Sequence, residues 1–244
     1  MNYSADDIKK LGTILGVWAH PDDESWCMGG VMAAAAANGQ RVVCITATRG
    51  NAGQTADETK WPQSRLGEIR QHELETAMKI LGVTEHIWLD YNDGELPEAN
   101  HETAINQIVA VIRNVNPDTI FSFGLDGITG HNDHKTVSEW TLQACNKAAT
   151  KATFYRATET TEKYESIGRK CHEAFNIYFN IDEPVTVSAD DADLYFELPK
   201  DVLRKKIESL RAQECQTAGM FASPLGREYI QQSCACETFM KVGS

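Results

Sequence analysis

Short apolar runs alternate along the chain with longer stretches in which apolar residues recur every three or four positions. The runs are Ile14–Trp18, 41–47, 87–89 and Thr119–Phe123. A run of this kind bounded by turn residues reads as a strand covered on both faces, because such a strand has no polar side to present. Between the runs, 64–81 places Leu66, Ile69, Leu74, Ala77, Met78 and Leu81 on one helical stripe that Gly82 ends. The same period recurs over 104–115, until Asn116-Pro117-Asp118 breaks it. Alanine-rich 29–37, stopped by Asn38-Gly39, reads as a short, closely packed helix, and a further helix is expected over 134–149. This order of strands and helices predicts an α/β fold: a Rossmann-like, mostly parallel sheet with helices on both faces, as a single domain over residues 1–244.

Past residue 150 the pattern weakens. Residues 175–180 and 185–187 read as late strands and 201–217 as one amphipathic helix, while Pro184 and Asp190, Asp191 and Asp193 mark loops. The stretch 48–62, rich in Gly, Asn, Thr and Asp, forms a long loop at the sheet edge; a lid and a plain surface connection suit it equally. There is no internal repeat and no linker long enough to divide the chain.

Composition narrows the function. With 244 residues, 42% of them hydrophobic, the chain can bury a substantial core. A net charge of −12, from 23 basic and 35 acidic residues, offers no field for phosphate backbones and argues against nucleic acid and anionic membranes as partners. No run approaches the roughly 18 apolar residues of a membrane span, and residues 1–10 lack the layout of a secretory signal, so the expected location is cytoplasmic. Seven scattered cysteines form no Cys-x-x-Cys pair and are expected to be reduced; Cys234 and Cys236 read as packing rather than a metal clamp. No Gly-x-Gly-x-x-Gly follows the first strand, so no dinucleotide is implied. A homo-oligomer is left open.

The candidate chemistry lies after two of the apolar runs. Ala19-His20-Pro21-Asp22-Asp23-Glu24 follows the first, and its proline-pinned turn lets His20 and Asp23 converge on one cation, leaving Asp22 beside it as a base. Alone, this segment is better explained as a solvated acidic turn. Gly130-His131-Asn132-Asp133-His134, after Thr119–Phe123, changes that balance, since three of the seven histidines fall in these two strand-end segments. Spacing lets one of His131 and His134 enter a metal's ligand shell and the other flank it, without saying which.

These two motifs resemble those of the LmbE/PIG-L family of zinc-dependent N-acetylglucosaminyl deacetylases. Ala19 to Glu24 is followed after four residues by Gly29-Gly30, and Gly130 to His134 matches the later motif except that Asn132 replaces a proline, which donates no metal ligand. Weaker matches are Arg70-x-x-Glu73 with Leu81-Gly82, Tyr91-Asn92-Asp93-Gly94 and Cys236-Glu237-Thr238-Phe239. One departure is Gln213-Glu214-Cys215-Gln216, where members often have His-x-Ser-Gln.

The site itself gives the reaction class, a metal-dependent amide hydrolysis; the resemblance adds the substrate, a small-molecule N-acetyl amino sugar or its conjugate. His20, Asp23 and His134 are then expected as metal ligands, for Zn²⁺ or for Fe²⁺ or another divalent ion, which the same two-histidine, one-carboxylate set suits. Asp22 is the expected general base, His131 the donor to the oxyanion with Asp133 orienting it, and Arg70 and Asp93 the substrate contacts. The alternatives are a metallohydrolase acting on another bond, a different amide of a sugar conjugate or a phosphoester, and a non-catalytic metal- or sugar-binding module.

Overall fold

The computed structural model describes residues 2–55, 57–178 and 180–243. Its strands are β1 (Asn2–Tyr3), β2 (Ile14–Trp18), β3 (Val42–Thr48), β4 (Glu85–Tyr91), β5 (Thr119–Phe123), β6 (Thr153–Ala157), β7 (Glu159–Thr160), β8 (Thr186–Val187), β9 (Leu194–Glu197) and β10 (Cys236–Lys241). The helices are α1 (Asp23–Ala37), α2 (Leu66–Leu81), α3 (His101–Val115), α4 (Asn132–Ala148), α5 (Thr161–Lys163), α6 (Arg169–Phe175), α7 (Lys200–Ala212), α8 (Glu214–Ala222) and α9 (Pro224–Ser233). Eight strands form one sheet in the order β1-β9-β10-β6-β5-β2-β3-β4, and β7 pairs with β8 separately. Within the large sheet only β10 runs against its neighbours, so the expected mostly parallel α/β architecture is the one observed. Helices α1, α2 and α7 pack together on one face, and α3 and α4 on the other.

Local chemistry explains the element boundaries. Every residue of β2, β3 and β5 is buried, as continuous apolar runs require of strands covered on both faces. The Asn100 side chain caps α3 by accepting the Thr103 N–H at 2.9 Å, and Gly82 ends α2 at φ 82°, where a side chain would be strained. Gly30 serves packing instead: a Cβ there would come within 2.5 Å of Leu198 Cδ2, so only glycine lets the connection into α7 cross α1 this closely.

Connectivity fixes where a site can form. From β2 the chain moves outward through β3 to β4, then returns to the other side of β2 as β5. The carboxyl ends of β2 and β5 flank this reversal, and a crevice opens there because the connections leave in opposite directions.

Several expectations are corrected. Helix α1 begins at Asp23, inside the first motif, rather than near residue 29. The single helix expected over 201–217 is two, α7 and α8, because Gln213 at φ −96° and ψ 53° interrupts the turn. No strand forms at 175–178: Phe175 ends α6, and Ile177 packs with it against a satellite cluster around Tyr229 instead of entering the sheet. Phe179, within that expected strand, lies outside the described residues. Among the described residues no helix is long and apolar enough to cross a membrane.

Candidate active site

The site begins where β2 stops. The backbone N–H of His20 donates to Asp23 Oδ2 at 2.7 Å, tying the imidazole's base to the first turn of α1. Between them Asp22 occupies the position just before the helix at φ 101°, a positive-φ backbone uncommon for any residue with a side chain. Such strain, of order 1–3 kcal/mol, persists only where the surroundings hold it. Here Arg70 of α2 holds it: the guanidinium donates to the carbonyls of Pro21 and Gly50, and Nη2 lies 3.4 Å from Asp22 Oδ2.

The β5 side supplies the remaining imidazoles. His134 Nδ1 donates to the Gly127 carbonyl at 2.9 Å, which fixes the tautomer and leaves the Nε2 lone pair facing the site. His131 caps α4, its Nδ1 accepting the Asp133 N–H at 3.1 Å, so the neutral ring carries its proton on Nε2. The Asp133 carboxylate turns elsewhere: Oδ2 lies 3.1 Å from His20 Nε2, and the two oxygens accept the N–H groups of Gly94 and Leu96. Asp93, in the loop after β4, places Oδ1 3.0 Å from the same His20 nitrogen and accepts the Ala52 N–H.

His20 Nδ1 and His134 Nε2 lie 3.2 Å apart, and Asp23 meets each ring with a different oxygen, Oδ2 3.5 Å from His20 Nδ1 and Oδ1 3.3 Å from His134 Nε2. A tetrahedral ion with bonds of about 2.0–2.2 Å needs ligand atoms roughly 3.3–3.6 Å apart, and the two imidazoles with either Asp23 oxygen are close enough together to share one ion. A second grouping of ligand-type atoms, His20, His131 and Asp133, shares His20.

Electrostatics follow from burial and from these partners. Burial pushes the Asp22 carboxyl up to about 7, against the pull of Arg70. Burial acts the same way on Asp23, but the imidazoles of His134 and His20 outweigh it and hold that carboxylate below the usual range. His20 shows the converse: burial disfavours its charge, yet Asp133, Asp23 and Asp93 raise its pKa well above the ordinary value. His134, desolvated mainly by burial, is lowered to about 4, which keeps its ring neutral. The surrounding carboxylates that favour a proton on His20 favour a metal cation for the same reason.

All eight sequence-selected residues, His20, Asp22, Asp23, Arg70, Asp93, His131, Asp133 and His134, thus converge on one switch point. Sequence reasoning missed what supports them. Gln213, 2% exposed at the break between α7 and α8, donates to Ser25 Oγ at 2.9 Å. Ser25 donates on to Glu24, whose other oxygen accepts the Asp22 N–H at 3.3 Å. The departure at Gln213 was the only hint of this chain of contacts. Nothing in the local pattern pointed to Gly127 or Leu96 as participants.

Residues 15–145 match the PIG-L family, described as GlcNAc-PI de-N-acetylase. The 1D-myo-inositol 2-acetamido-2-deoxy-alpha-D-glucopyranoside deacetylase of Corynebacterium glutamicum (strain R) is 32% identical over 222 residues, covering 83% of this chain and 74% of that protein. Among solved structures, N,N'-diacetylchitobiose deacetylase from Pyrococcus horikoshii superposes with a TM-score of 0.63 at 20% identity, over 96% of this chain and 85% of that one. GalB, the 4-carboxy-2-hydroxymuconate hydratase from Pseudomonas putida KT2440, superposes with a TM-score of 0.67 at 16% identity, over 96% and 97%. A deacetylase and a hydratase share this frame, so the two superpositions speak for the fold alone.

Proposed function

The chain belongs to the PIG-L (LmbE-like) family of de-N-acetylases, and from that membership we propose that it hydrolyses the acetamide of an N-acetylated amino sugar or its conjugate, releasing acetate and the free amine. The observation that carries this reading is the grouping of His20, Asp23 and His134 beside the strained, partly buried Asp22. His20, Asp23 and His134 would hold a divalent ion, Zn²⁺ being the first choice for a mixed imidazole and carboxylate set and Fe²⁺ or another divalent ion an alternative. Such an ion, when bound, supplies Lewis acidity toward the amide oxygen and makes a nearby water easier to deprotonate.

The protein's own groups manage the protons. Asp22 takes one from the attacking water as its oxygen adds to the acetyl carbon, and returns it to nitrogen as the C–N bond breaks. Arg70 and the Glu24 carboxyl group keep Asp22 aimed by fixing its backbone. His131 offers Nε2–H to the oxyanion that develops on the former carbonyl oxygen. Asp133 positions His20 through Nε2 and positions His131 through its own backbone N–H. Arg70 and Asp93, both lining the cleft, are the candidate contacts for sugar hydroxyls.

Acetate release from a panel of N-acetyl amino sugars, measured with and without chelator, tests the proposal. Activity should vanish on chelation and return with Zn²⁺ or a similar ion; full turnover in thoroughly metal-free protein would end it.

A further inference from the structure

The cleft over the site has a volume of about 750 Å³, toward the upper part of the roughly 300–1,000 Å³ usual for sites that enclose a drug-sized ligand. A single acetamido sugar placed at His20, Asp23 and His134 fills only a part of it. Another part of the lining is aromatic and apolar: Trp26, Phe175, Tyr178, Met220 and Tyr229. Tyr229 belongs to a satellite cluster separate from the main core, Trp26, Phe175 and Met220 pack against that cluster, and the rings of Trp26 and Tyr229 lie 6.2 Å apart, tilted by 44°.

The charges along this wall are already matched. Lys163 Nζ lies 2.8 Å from Glu159 Oε1, and Glu159 Oε2 accepts from the Tyr178 hydroxyl at 3.1 Å. Glu237 accepts from Lys206 Nζ at 2.6 Å and from the N–H groups of Gly30 and Val31. The other cation in the lining, Arg70, is engaged with Pro21, Gly50 and Asp22. An entering phosphate would have to surrender its hydration and draw Lys163 from Glu159, leaving a buried carboxylate unpaired. An uncharged ring has no such cost and can lay its C–H face on the aromatic side chains.

We propose that this wall is a subsite for the aglycone of the substrate, and that it selects an uncharged, ring-bearing aglycone over one that carries a phosphate. The inference rests on the deacetylase reading and specifies the conjugate that reading leaves open.

Three compounds test it on the full-length, metal-loaded protein by acetate release: N-acetylglucosamine, its phenyl glycoside (both anomers) and its 1-phosphate. The better phenyl anomer should exceed the free sugar in kcat/KM by about tenfold, the scale of one aromatic contact, and the 1-phosphate should fall below it. Phe175→Ala should shrink the ratio of phenyl glycoside to free sugar. Glu159→Gln releases Lys163 and should raise the 1-phosphate relative to the phenyl glycoside by about tenfold. Equal kcat/KM for the three compounds, or a preference for the phosphate, overturns the subsite, and the wild-type panel decides this even if neither variant folds. No acetate from any compound, in folded and metal-loaded protein, removes the deacetylase reading and the inference with it.

Discussion

Residues 14–148 and residues 149–243 build the same cleft in different ways. The first region supplies the proposed chemistry from strand ends: His20 after β2, Asp93 after β4, and His131 and His134 after β5. Its helices and strands follow one another in space much as in sequence, so each reactive group is delivered by a short, regular unit. The second region supplies walls and supports, among them Glu159, Lys163, Tyr229 and Glu237, from elements that meet only through long-range pairing. Reactive groups tolerate little displacement and sit on rigid repeated units, whereas a wall needs only shape and matched charge and can be made from irregular chain.

Changes in the first region should therefore abolish chemistry while leaving the fold, and the strongest is at the base. Asp22→Asn should keep the metal and lose roughly 10²- to 10⁴-fold in kcat, because an amide cannot take the water's proton. Metal analysis beside turnover checks it, and metal lost from this variant would reverse the roles of Asp22 and Asp23. The two histidines of the second motif separate in the same assay. His134→Ala should shed the ion, whereas His131→Ala should retain it and lose about 10²- to 10³-fold in kcat. The opposite pattern of metal content would exchange them.

In the second region the expected effect is on stability. The side chains of Lys206 and Glu237 are each 1% exposed, and together they join α7, β10 and the middle of α1. Lys206→Met strands the Glu237 carboxylate and should cost about 3–5 kcal/mol, read as a shift in the urea midpoint. An unchanged midpoint would show that this support is dispensable.

The smallest effect belongs to His86 on β4, whose Nε2 lies 2.8 Å from Thr46 Oγ1. Burial, aided by Arg49, lowers its pKa from 6.5 to about 4. Below pH 6.5 the unfolded chain binds a proton that the folded protein refuses until about pH 4, so this contribution is complete above 6.5 and shrinks as pH falls toward 4. His86→Gln should flatten that part of the stability profile by on the order of 1 kcal/mol. Parallel wild-type and variant curves between pH 6.5 and 4 would refute it.

The sequence by itself determined the parallel core and singled out the residues that the fold brings together at the candidate site. Unbroken runs such as Ile14–Trp18 and Thr119–Phe123, and the helical period over 64–81, are local signals whose meaning survives any tertiary arrangement. The two motifs stand at the ends of such runs, so their residue types and their place at the sheet edge could be read together. Tertiary structure alone decided the pairings. His20 and His134 lie 114 positions apart, and only the reversal between β4 and β5 brings their nitrogens to 3.2 Å. That the Asp133 carboxylate faces His20 while its backbone N–H donates to His131 depends on Gly94 and Leu96 being folded over it. The late apolar stretch near 175–178 could have been strand or helix end, because a short apolar run fits either until something packs on it. Tyr229 and its neighbours settled that, through contacts more than fifty positions away that no local pattern encodes.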